Sequence, residues 1–371
     1  MIKDRYHRHS LIDWFSQEAV KASHFAIVGC GAVGNEVAKN LALLGVGNVD
    51  LFDFDKVEVH NLTRSVLFRE SDISRFKADV VAERLKDLES NIKTKVFTND
   101  FWDEMTFDML SKYSSVICCV DNYEARIRLN QLCSLSRTNL INTGIDSKFV
   151  QVDVFPFDSN KDIQCYECNL PPSVYSRIQE RYSCGWLKKI AYVEKKVPTT
   201  IITSALAGAM AANFALELLE GKKGLNSKRV LIDSKTGRSS LSEFFKNDSC
   251  PACSDLKDKI LIFNGPALIG DQPGYIENIE DKFISTSDPV LISYTCPNCD
   301  NEKEEIIFRK ASDFDSSLTH CEKCGNESIN LDIKDFFSLE QLYLRFKGYN
   351  IPSKFIRFDG DEETIIVEII N

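Results

Sequence analysis

Short apolar runs alternate with stretches of helical periodicity between about residues 24 and 157. The short runs predict strands, because they have strand length and lie between turn residues, and the periodic stretches predict helices. Repeated strand–helix alternation is typical of an α/β fold, so we predict a Rossmann-like, mostly parallel sheet with helices on both faces. The predicted strands are His24–Gly29, Val49–Asp55, Ser115–Asp121, Asn139–Ile145 and Phe149–Phe157, and the predicted helices are Ala32–Leu44, Lys77–Glu89 and Asn122–Arg137.

The pattern changes twice further along the chain. It weakens over about 165–197, where prolines and charges predict a crossover loop, and it resumes with a helix at Thr199–Glu220 and strands at Arg229–Asp233 and Ser240–Phe245. After Cys253 acidic residues become frequent and the alternation stops. We therefore predict one domain over residues 1–253 and a small α+β domain over 265–371, with a helix at Leu339–Lys347 and a strand at Glu363–Ile369.

Composition narrows the choice of partners. The 371 residues carry a formal net charge of −10, with a pI near 5.2, and phosphate backbones need a basic surface, so nucleic acid is not an expected partner. The first ten residues lack the apolar core of a signal peptide, and the cytoplasm is the expected location. The uncharged stretch Val197–Leu216 contains a proline, threonines and small residues, so we interpret it as a buried core helix and expect no membrane association.

A glycine-rich sequence follows the first predicted strand. Gly29, Gly31 and Gly34 lie where a strand turns into a helix, which lets phosphate oxygens approach backbone N–H groups. Asp53 ends the next strand, where a carboxylate can accept from a ribose hydroxyl. These residues alone are equally compatible with a plain dinucleotide-binding fold.

Further charged residues favour chemistry on a triphosphate. A hydride-transfer enzyme has no use for a second aspartate, an arginine and a lysine on these loops, whereas a phosphate site needs cations and a carboxylate for Mg²⁺. The residues in question are Asp55, Asn61, Arg64, Lys77, Asp121 and Asn122.

With these motifs the sequence resembles the ThiF/MoeB-type adenylyltransferases and the adenylation domains of ubiquitin-activating enzymes. The resemblance covers roughly Arg5 to Phe245. It rests on Arg5-Tyr6-x-Arg8, the glycine loop, Asp53-x-Asp55, Asn61-Leu62-x-Arg64, Lys77 and Asp121-Asn122.

The resemblance implies an enzyme that uses ATP and Mg²⁺ to adenylate the C-terminal carboxylate of a small protein. Asp53 would hold the ribose, Asp121 would bind Mg²⁺, and Arg8 would reach the γ-phosphate in a partner subunit, which implies a homodimer. The phosphates would be bound by the glycine loop and by Asn61, Arg64 and Lys77, with Asp55 and Asn122 also at the nucleotide site.

Each of these charged residues also has a structural interpretation. Asp121 could cap the helix that follows it, and Arg64 and Lys77 could be solvated surface charges. Arg5 and Arg8 belong to a terminal segment of a kind that is often mobile.

Eight of the thirteen cysteines form four Cys-x-x-Cys pairs, a spacing that suits zinc in a chain without a secretion signal. Cys296, Cys299, Cys321 and Cys324 have the compact spacing of a zinc ribbon, and redox pairs are the alternative. Cys165, Cys168, Cys250 and Cys253 are widely separated, and the resemblance strengthens their assignment to a second structural zinc site. The sequence thus predicts two zinc ions per chain.

Cys184 stands apart from these pairs. It lies in the crossover loop just before several lysines, which favours a thiolate, and a passive loop cysteine is the alternative. Relatives carry a thioester-forming or sulfur-mobilising cysteine in the corresponding segment. Three functions stay open: activation of a ubiquitin-like protein through a Cys184 thioester and transfer to a conjugating enzyme, adenylation of a sulfur-carrier protein without a thioester, and a silent scaffold that binds partners through its zinc ribbon.

Overall fold

The computed structural model describes residues 5–159, 163–175, 198–221, 225–254, 259–266, 283–299, 301–303, 308–311, 321, 323–326, 330–338, 348–359 and 363–370. The chain divides into two compact units. One comprises residues 1–170 and 195–254, and the other comprises residues 171–194 and 255–371.

An eight-stranded sheet forms the first unit, in the order β3-β2-β1-β4-β5-β6-β7-β8. The neighbours from β3 to β5 pair in parallel, and the pairs from β5 to β8 are antiparallel. The predicted mostly parallel α/β sheet is therefore confirmed. The strands are β1 (His24–Val28), β2 (Asn48–Phe52), β3 (Lys93–Phe97), β4 (Ser115–Cys118), β5 (Leu140–Ile145), β6 (Phe149–Phe155), β7 (Lys228–Asp233) and β8 (Ser239–Glu243).

Helices connect and cover these strands. Because β1–α2–β2 and β4–α6–β5 run in opposite directions from the middle of the sheet, right-handed crossovers place α2 and α6 on opposite faces. The helices are α1 (Gln17–Ala22), α2 (Ala32–Leu44), α3 (Lys77–Leu88), α4 (Phe101–Glu104), α5 (Phe107–Leu110), α6 (Tyr123–Ser136) and α7 (Ile201–Leu219).

The main core lies between the sheet and the face formed by α2, α3 and α7. Every second residue of β6 faces this side, and these residues, Val150, Val152 and Val154, pack with buried alanines of α7. Helix α7 is also long and apolar enough to cross a membrane, but about half of it is buried in this core. We therefore retain the interpretation of α7 as a core helix.

In the described part of the second unit, seven strands form a sheet in which β11-β10-β14-β15-β9 are neighbours and β12 and β13 also pair with β10. The sequence pattern predicted the last of these strands, at Glu363–Ile369, and did not locate the others. The predicted helix Leu339–Lys347 lies outside the described residues. The strands are β9 (Lys259–Pro266), β10 (Phe283–Cys296), β11 (Asn301–Lys303), β12 (Arg309–Lys310), β13 (Asn330–Ser338), β14 (Phe355–Asp359) and β15 (Glu363–Ile370).

Helices α2 and α7 approach each other closely at Gly208. A Cβ built there would lie 2.4 Å from Cβ of Glu36 and 3.0 Å from the backbone nitrogen of Val37. Backbone atoms cannot move aside as a flexible side chain can, so this position requires glycine.

We expect Gly208→Ala to lower the free energy of unfolding by about 1–3 kcal/mol, although alanine favours a helix over glycine, because the added methyl group overpacks the helix contact. Urea unfolding measures this change. Gly144→Ala is the control, since its Cβ would meet only the Gln151 side chain at an ordinary 3.9 Å. A Gly208→Ala protein as stable as the wild type would contradict the close-approach explanation.

Candidate functional site

The glycine turn between β1 and α2 is shaped by two steric constraints. Gly29 has φ +92°, and a Cβ there would lie 2.8 Å from the carbonyl oxygen of Cys119, just after β4. A Cβ at Gly34 would lie 2.0 Å from the oxygen of Gly29. At Gly31, by contrast, a Cβ would meet no described atom within 4 Å. Packing therefore requires Gly29 and Gly34, whereas Gly31 leaves the outer side of the turn open to a ligand that approaches the backbone.

Asp53 holds this turn from the end of β2. Its Oδ2 accepts from the backbone nitrogen of Cys30 at 2.6 Å, and its Oδ1 accepts from that of Asp55 at 2.8 Å. Burial raises the pKa of Asp53 above the ordinary aspartate value, against the opposing effects of Lys77 and the two backbone donors. The carboxylate that was predicted to hold a ribose thus also sets the conformation of the glycine turn.

Asn35, in the first turn of α2, was not singled out from the sequence. Its side chain is buried, donates to the oxygens of Cys30 and Gly31, and accepts from the backbone nitrogen of Leu67. It thereby joins the glycine turn to the segment that carries Arg64. A polar residue directly after the third glycine was the available signal, because such a position faces the turn.

A long loop, called the excursion below, connects β2 to α3. Asp55 and Lys77 lie at its two ends. Lys77 Nζ lies 2.7 Å from Asp55 Oδ2, and the Lys77 backbone nitrogen donates to the Asp55 oxygen at 2.9 Å. The Lys77 side chain is only 12% exposed, so it is not a solvated surface charge. Val57 bonds to Arg75 and Ser74 through its backbone and closes the base of the excursion.

Asn61 and Arg64 lie within this excursion. The Asn61 side-chain oxygen accepts from the backbone nitrogen of Glu58 at 2.9 Å, so its amide nitrogen is the group suited to a phosphate. Arg64 Nη1 donates to the oxygen of His60 at 2.7 Å, a bond that uses one of its five donors.

Asp121 follows β4, next to β1, where the strand order reverses. Ligands of parallel α/β sheets bind at such a switch point. The alternative role of Asp121 as a helix cap is not observed. The cap of α6 is Asn122, whose side-chain oxygen accepts from the backbone nitrogen of Ala125 at 2.8 Å. Asp121 is exposed and available to a cation. Asn122 has a structural task here in addition to any contact with nucleotide.

The N-terminal segment is held at the amino ends of the strands, opposite the end of the sheet that carries the glycine turn. Arg5 and Tyr6 both bond to the buried Glu89, which lowers the pKa of Glu89 chiefly through the Tyr6 hydroxyl. A cleft of about 520 Å³ lies here, lined partly by Arg5 and by Lys93 at the amino ends of β2 and β3, away from the glycine turn. Arg5 therefore has a structural contact within its own chain, and Arg8 is exposed.

The described residues contain two four-cysteine clusters. The Sγ atoms of Cys165 and Cys250, and those of Cys168 and Cys253, are 3.6 Å apart. The pairs Cys296–Cys324 and Cys299–Cys321 are 3.5 Å apart, and within each cluster all four sulfurs lie within 4.8 Å. Tetrahedral zinc with bonds of about 2.3 Å needs sulfurs about 3.8 Å apart. Convergence of four sulfurs on one point favours a metal over separate redox pairs.

Buried polar groups hold the first cluster against α6. Asn130 accepts from the Tyr166 backbone nitrogen at 2.9 Å and donates to Glu167 Oε1 at 3.1 Å, between Cys165 and Cys168. These contacts orient the cysteine turn, as outer-shell partners do around metal sites.

The cysteines outside the clusters divide into two groups. Burial raises the pKa of Cys30, Cys118, Cys119 and Cys133, that of Cys119 to about 12, so these thiols are poor nucleophiles. Cys184 lies outside the described residues, and its role stays a prediction.

The chain is similar to several known proteins. Residues 5–252 match the ThiF family. The chain is 27% identical to ubiquitin-like modifier-activating enzyme 5 of Caenorhabditis elegans, over 64% of this chain and 56% of that protein. It is 28% identical to the sulfur carrier protein adenylyltransferase of Thermus thermophilus, over 68% of this chain and 91% of that protein. The chain therefore spans only about half the length of the first relative.

Solved structures share the fold. A crystal structure of Escherichia coli MccB with MccA-N7isoASN aligns with a TM-score of 0.55 at 22% identity, over 68% of this chain and 75% of that chain.

We expect about two Zn²⁺ per purified chain, one for each cluster. Cys165→Ser should reduce this to one and destabilise the first unit by about 4 kcal/mol or more, because structural zinc contributes folding energy. Cys296→Ser should also lose one zinc but leave the first unit's stability unchanged. Elemental analysis and thermal unfolding measure both effects, with the buried, unclustered Cys133→Ser as the control. A wild-type chain with one zinc or none would contradict the assignment.

Proposed function

The chain belongs to the ThiF family, and we propose that it is an ATP-dependent adenylyltransferase that activates the C-terminal carboxylate of a small ubiquitin-like or sulfur-carrier protein. The observation that carries the proposal is the set of candidate nucleotide-binding groups at the carboxyl ends of three neighbouring strands. The glycine turn, Asp53 and the Lys77–Asp55 pair follow β1 and β2, and Asp121 follows the adjacent β4. The relatives' names include both classes of activity.

The proposed reaction needs positioning and charge neutralisation rather than a general base. A carboxylate oxygen of the carrier attacks the α-phosphorus of ATP, a new C–O–P linkage forms, and the bond to the β-phosphate oxygen breaks with release of pyrophosphate. The carboxylate is already ionised near neutral pH, so no proton must be removed from the nucleophile. The helix α2 amides, Lys77 and Arg64 would bind the phosphates.

Asp121 is the side chain proposed to hold Mg²⁺, which when bound would neutralise phosphate charge. Asp53 would accept from a ribose hydroxyl while it retains its bonds to Cys30 and Asp55. Arg8 is proposed to reach the nucleotide of a partner subunit in a homodimer, since it is exposed on its own subunit.

A second step is proposed for Cys184. Its thiolate would attack the carbonyl carbon of the acyl-adenylate, form a thioester and release AMP, after which a conjugating enzyme would receive the carrier. A sulfur-carrier adenylyltransferase without this step is the alternative. It is favoured by the match to 91% of the Thermus thermophilus protein, whereas the second unit beyond the family match favours the thioester enzyme.

We expect ATP–pyrophosphate exchange to require Mg²⁺ and a cognate carrier protein. Asp121→Ala should reduce exchange by at least about 100-fold, because the cation loses its carboxylate, while the protein stays folded. Asp87→Ala, at a 70% exposed site on α3, is the control and should exchange normally. Wild-type exchange by Asp121→Ala would refute the magnesium assignment.

For Cys184 we expect Cys184→Ala to retain pyrophosphate exchange and to lose a carrier adduct that dithiothreitol removes on non-reducing gels. Adenylation does not involve the sulfur, so only the second step should fail. Cys119→Ala is the control, because its thiol is poorly ionised.

An adduct that persists in Cys184→Ala would assign the thioester to another cysteine. Robust wild-type exchange without any adduct would favour the sulfur-carrier alternative.

A further inference from the structure

The Asn35 amide connects two loops that the proposed reaction requires. The residue is fully buried, its Nδ2 donates to the oxygens of Cys30 at 2.7 Å and Gly31 at 3.0 Å, and its Oδ1 accepts from the nitrogen of Leu67 at 2.9 Å. Three bonds from one buried amide to two separate backbone segments fix the position of both segments.

The bond to Cys30 determines which way a neighbouring N–H group points. In a planar trans peptide the C=O and the following N–H point in opposite directions. Because Asn35 holds the Cys30 oxygen inward, the Gly31 N–H points outward. A Cβ at Gly31 would meet no described atom within 4 Å, so the backbone is open to a ligand there.

The Gly31 oxygen accepts from both the side chain and the backbone nitrogen of Asn35. By the same peptide geometry, this directs the Ala32 N–H away from the helix. The first N–H groups of a helix have no partner within the helix and are the donors that bind anions.

The Cys30 peptide is also fixed from its other side. Its nitrogen donates to Asp53, so Asp53 and Asn35 hold consecutive peptide units of the turn from opposite ends. Asp53 is the group proposed for the ribose, and Asn35 orients the donors proposed for the phosphates.

The bond to Leu67 extends this control to the excursion. Leu67 is three residues after Arg64, and the backbone nitrogens of Arg64 and Ser65 both donate to the Asn61 oxygen, so this part of the excursion is a compact turn. The hydrogen bond between Asn35 and Leu67 thus links this part of the excursion directly to the glycine turn.

We propose that Asn35 is a positioning residue. It holds the glycine-turn N–H groups and the Arg64 segment in the relative positions that binding of a triphosphate requires. The proposal rests on the proposed use of ATP. It requires no contact between Asn35 and the nucleotide. It implies that loss of the Asn35 amide impairs recognition of phosphate groups and spares recognition of the nucleoside.

The test compares ATP with adenosine, which lacks phosphates. Dissociation constants are measured by calorimetry for Mg-ATP and by ligand-observed NMR for adenosine, on the full chain. For Asn35→Ala we expect ATP affinity to fall about tenfold or more, as loss of fixed hydrogen bonds of ordinary strength implies, with adenosine affinity changed by less than about twofold.

Asn35→Asp separates the two halves of the proposal. An aspartate has almost the same shape and still accepts from Leu67, but its carboxyl has no donor hydrogen when ionised and only one when burial keeps it protonated, so it cannot donate to both the Cys30 and the Gly31 oxygens. We expect it to lose ATP affinity as Asn35→Ala does. It also serves if the alanine variant fails to fold.

Asn139→Ala is the matched control. Asn139 is a buried amide with reciprocal bonds to Asp158, at 2.9 and 3.2 Å, at the opposite end of the sheet from the glycine turn. It should lose stability to a similar extent and keep the wild-type ratio of ATP to adenosine affinity.

Three results would overturn the proposal: equal changes in ATP and adenosine affinity for Asn35→Ala, wild-type ATP affinity for Asn35→Asp, or a selective loss of ATP affinity in Asn139→Ala. The proposed function fails separately, if the wild type binds Mg-ATP but no ubiquitin-like or sulfur-carrier protein supports exchange. A wild type that does not bind Mg-ATP would refute both.

Discussion

The glycine turn is confined between the ends of neighbouring strands, and the candidate site depends on that confinement. Gly29 leaves no room for a Cβ because of the Cys119 backbone, and Gly34 leaves none because of Gly29 itself. With its path fixed in this way, the turn places the start of α2 directly over the end of β1, and Asp53 and Asn35 then hold its peptide units from two sides. Side chains that follow β2 and β4, together with those of the excursion, therefore lie at the same end of the sheet.

A strongly acidic chain can still form an anion site because the donors concerned are local. Formal net charge is −10, yet the turn presents helix amides, and Lys77 lies partly buried beside Asp55. Charges separated by more than about 8 Å are largely screened at physiological ionic strength, so the short-range arrangement outweighs the distant carboxylates. The Lys77–Asp55 pair also restricts the movement of the ammonium group.

The sequence predicted the elements in which the spacing of apolar residues was regular. It failed where polar residues interrupted that spacing. Helices α2, α6 and α7 and the buried strands β1 and β4 were found, each to within a few residues. The edge strand β3 was missed because lysines occupy two of its five positions, and β10 was missed because Asp288 and Pro289 fall in its middle. There the ladder is irregular and Ser353 bonds to Asp288, which is how a proline is accommodated within a strand. The site aspartates could be named from motifs. For Asn35 the sequence offered only its place after the third glycine, and its bond to Leu67 could not be predicted because Leu67 is distant in sequence.

The first four-cysteine cluster joins residues 85 positions apart, and this separation matters during synthesis. A ribosome adds about 5–20 residues per second, so Cys165 leaves it roughly 4–17 s before Cys250. For most of this interval β6 lacks its neighbour β7, which also comes from the later segment. The nascent chain thus has a sheet with an open edge beside two unmatched thiols. Completion of the four-cysteine cluster and closure of that edge therefore both wait for the segment that follows α7.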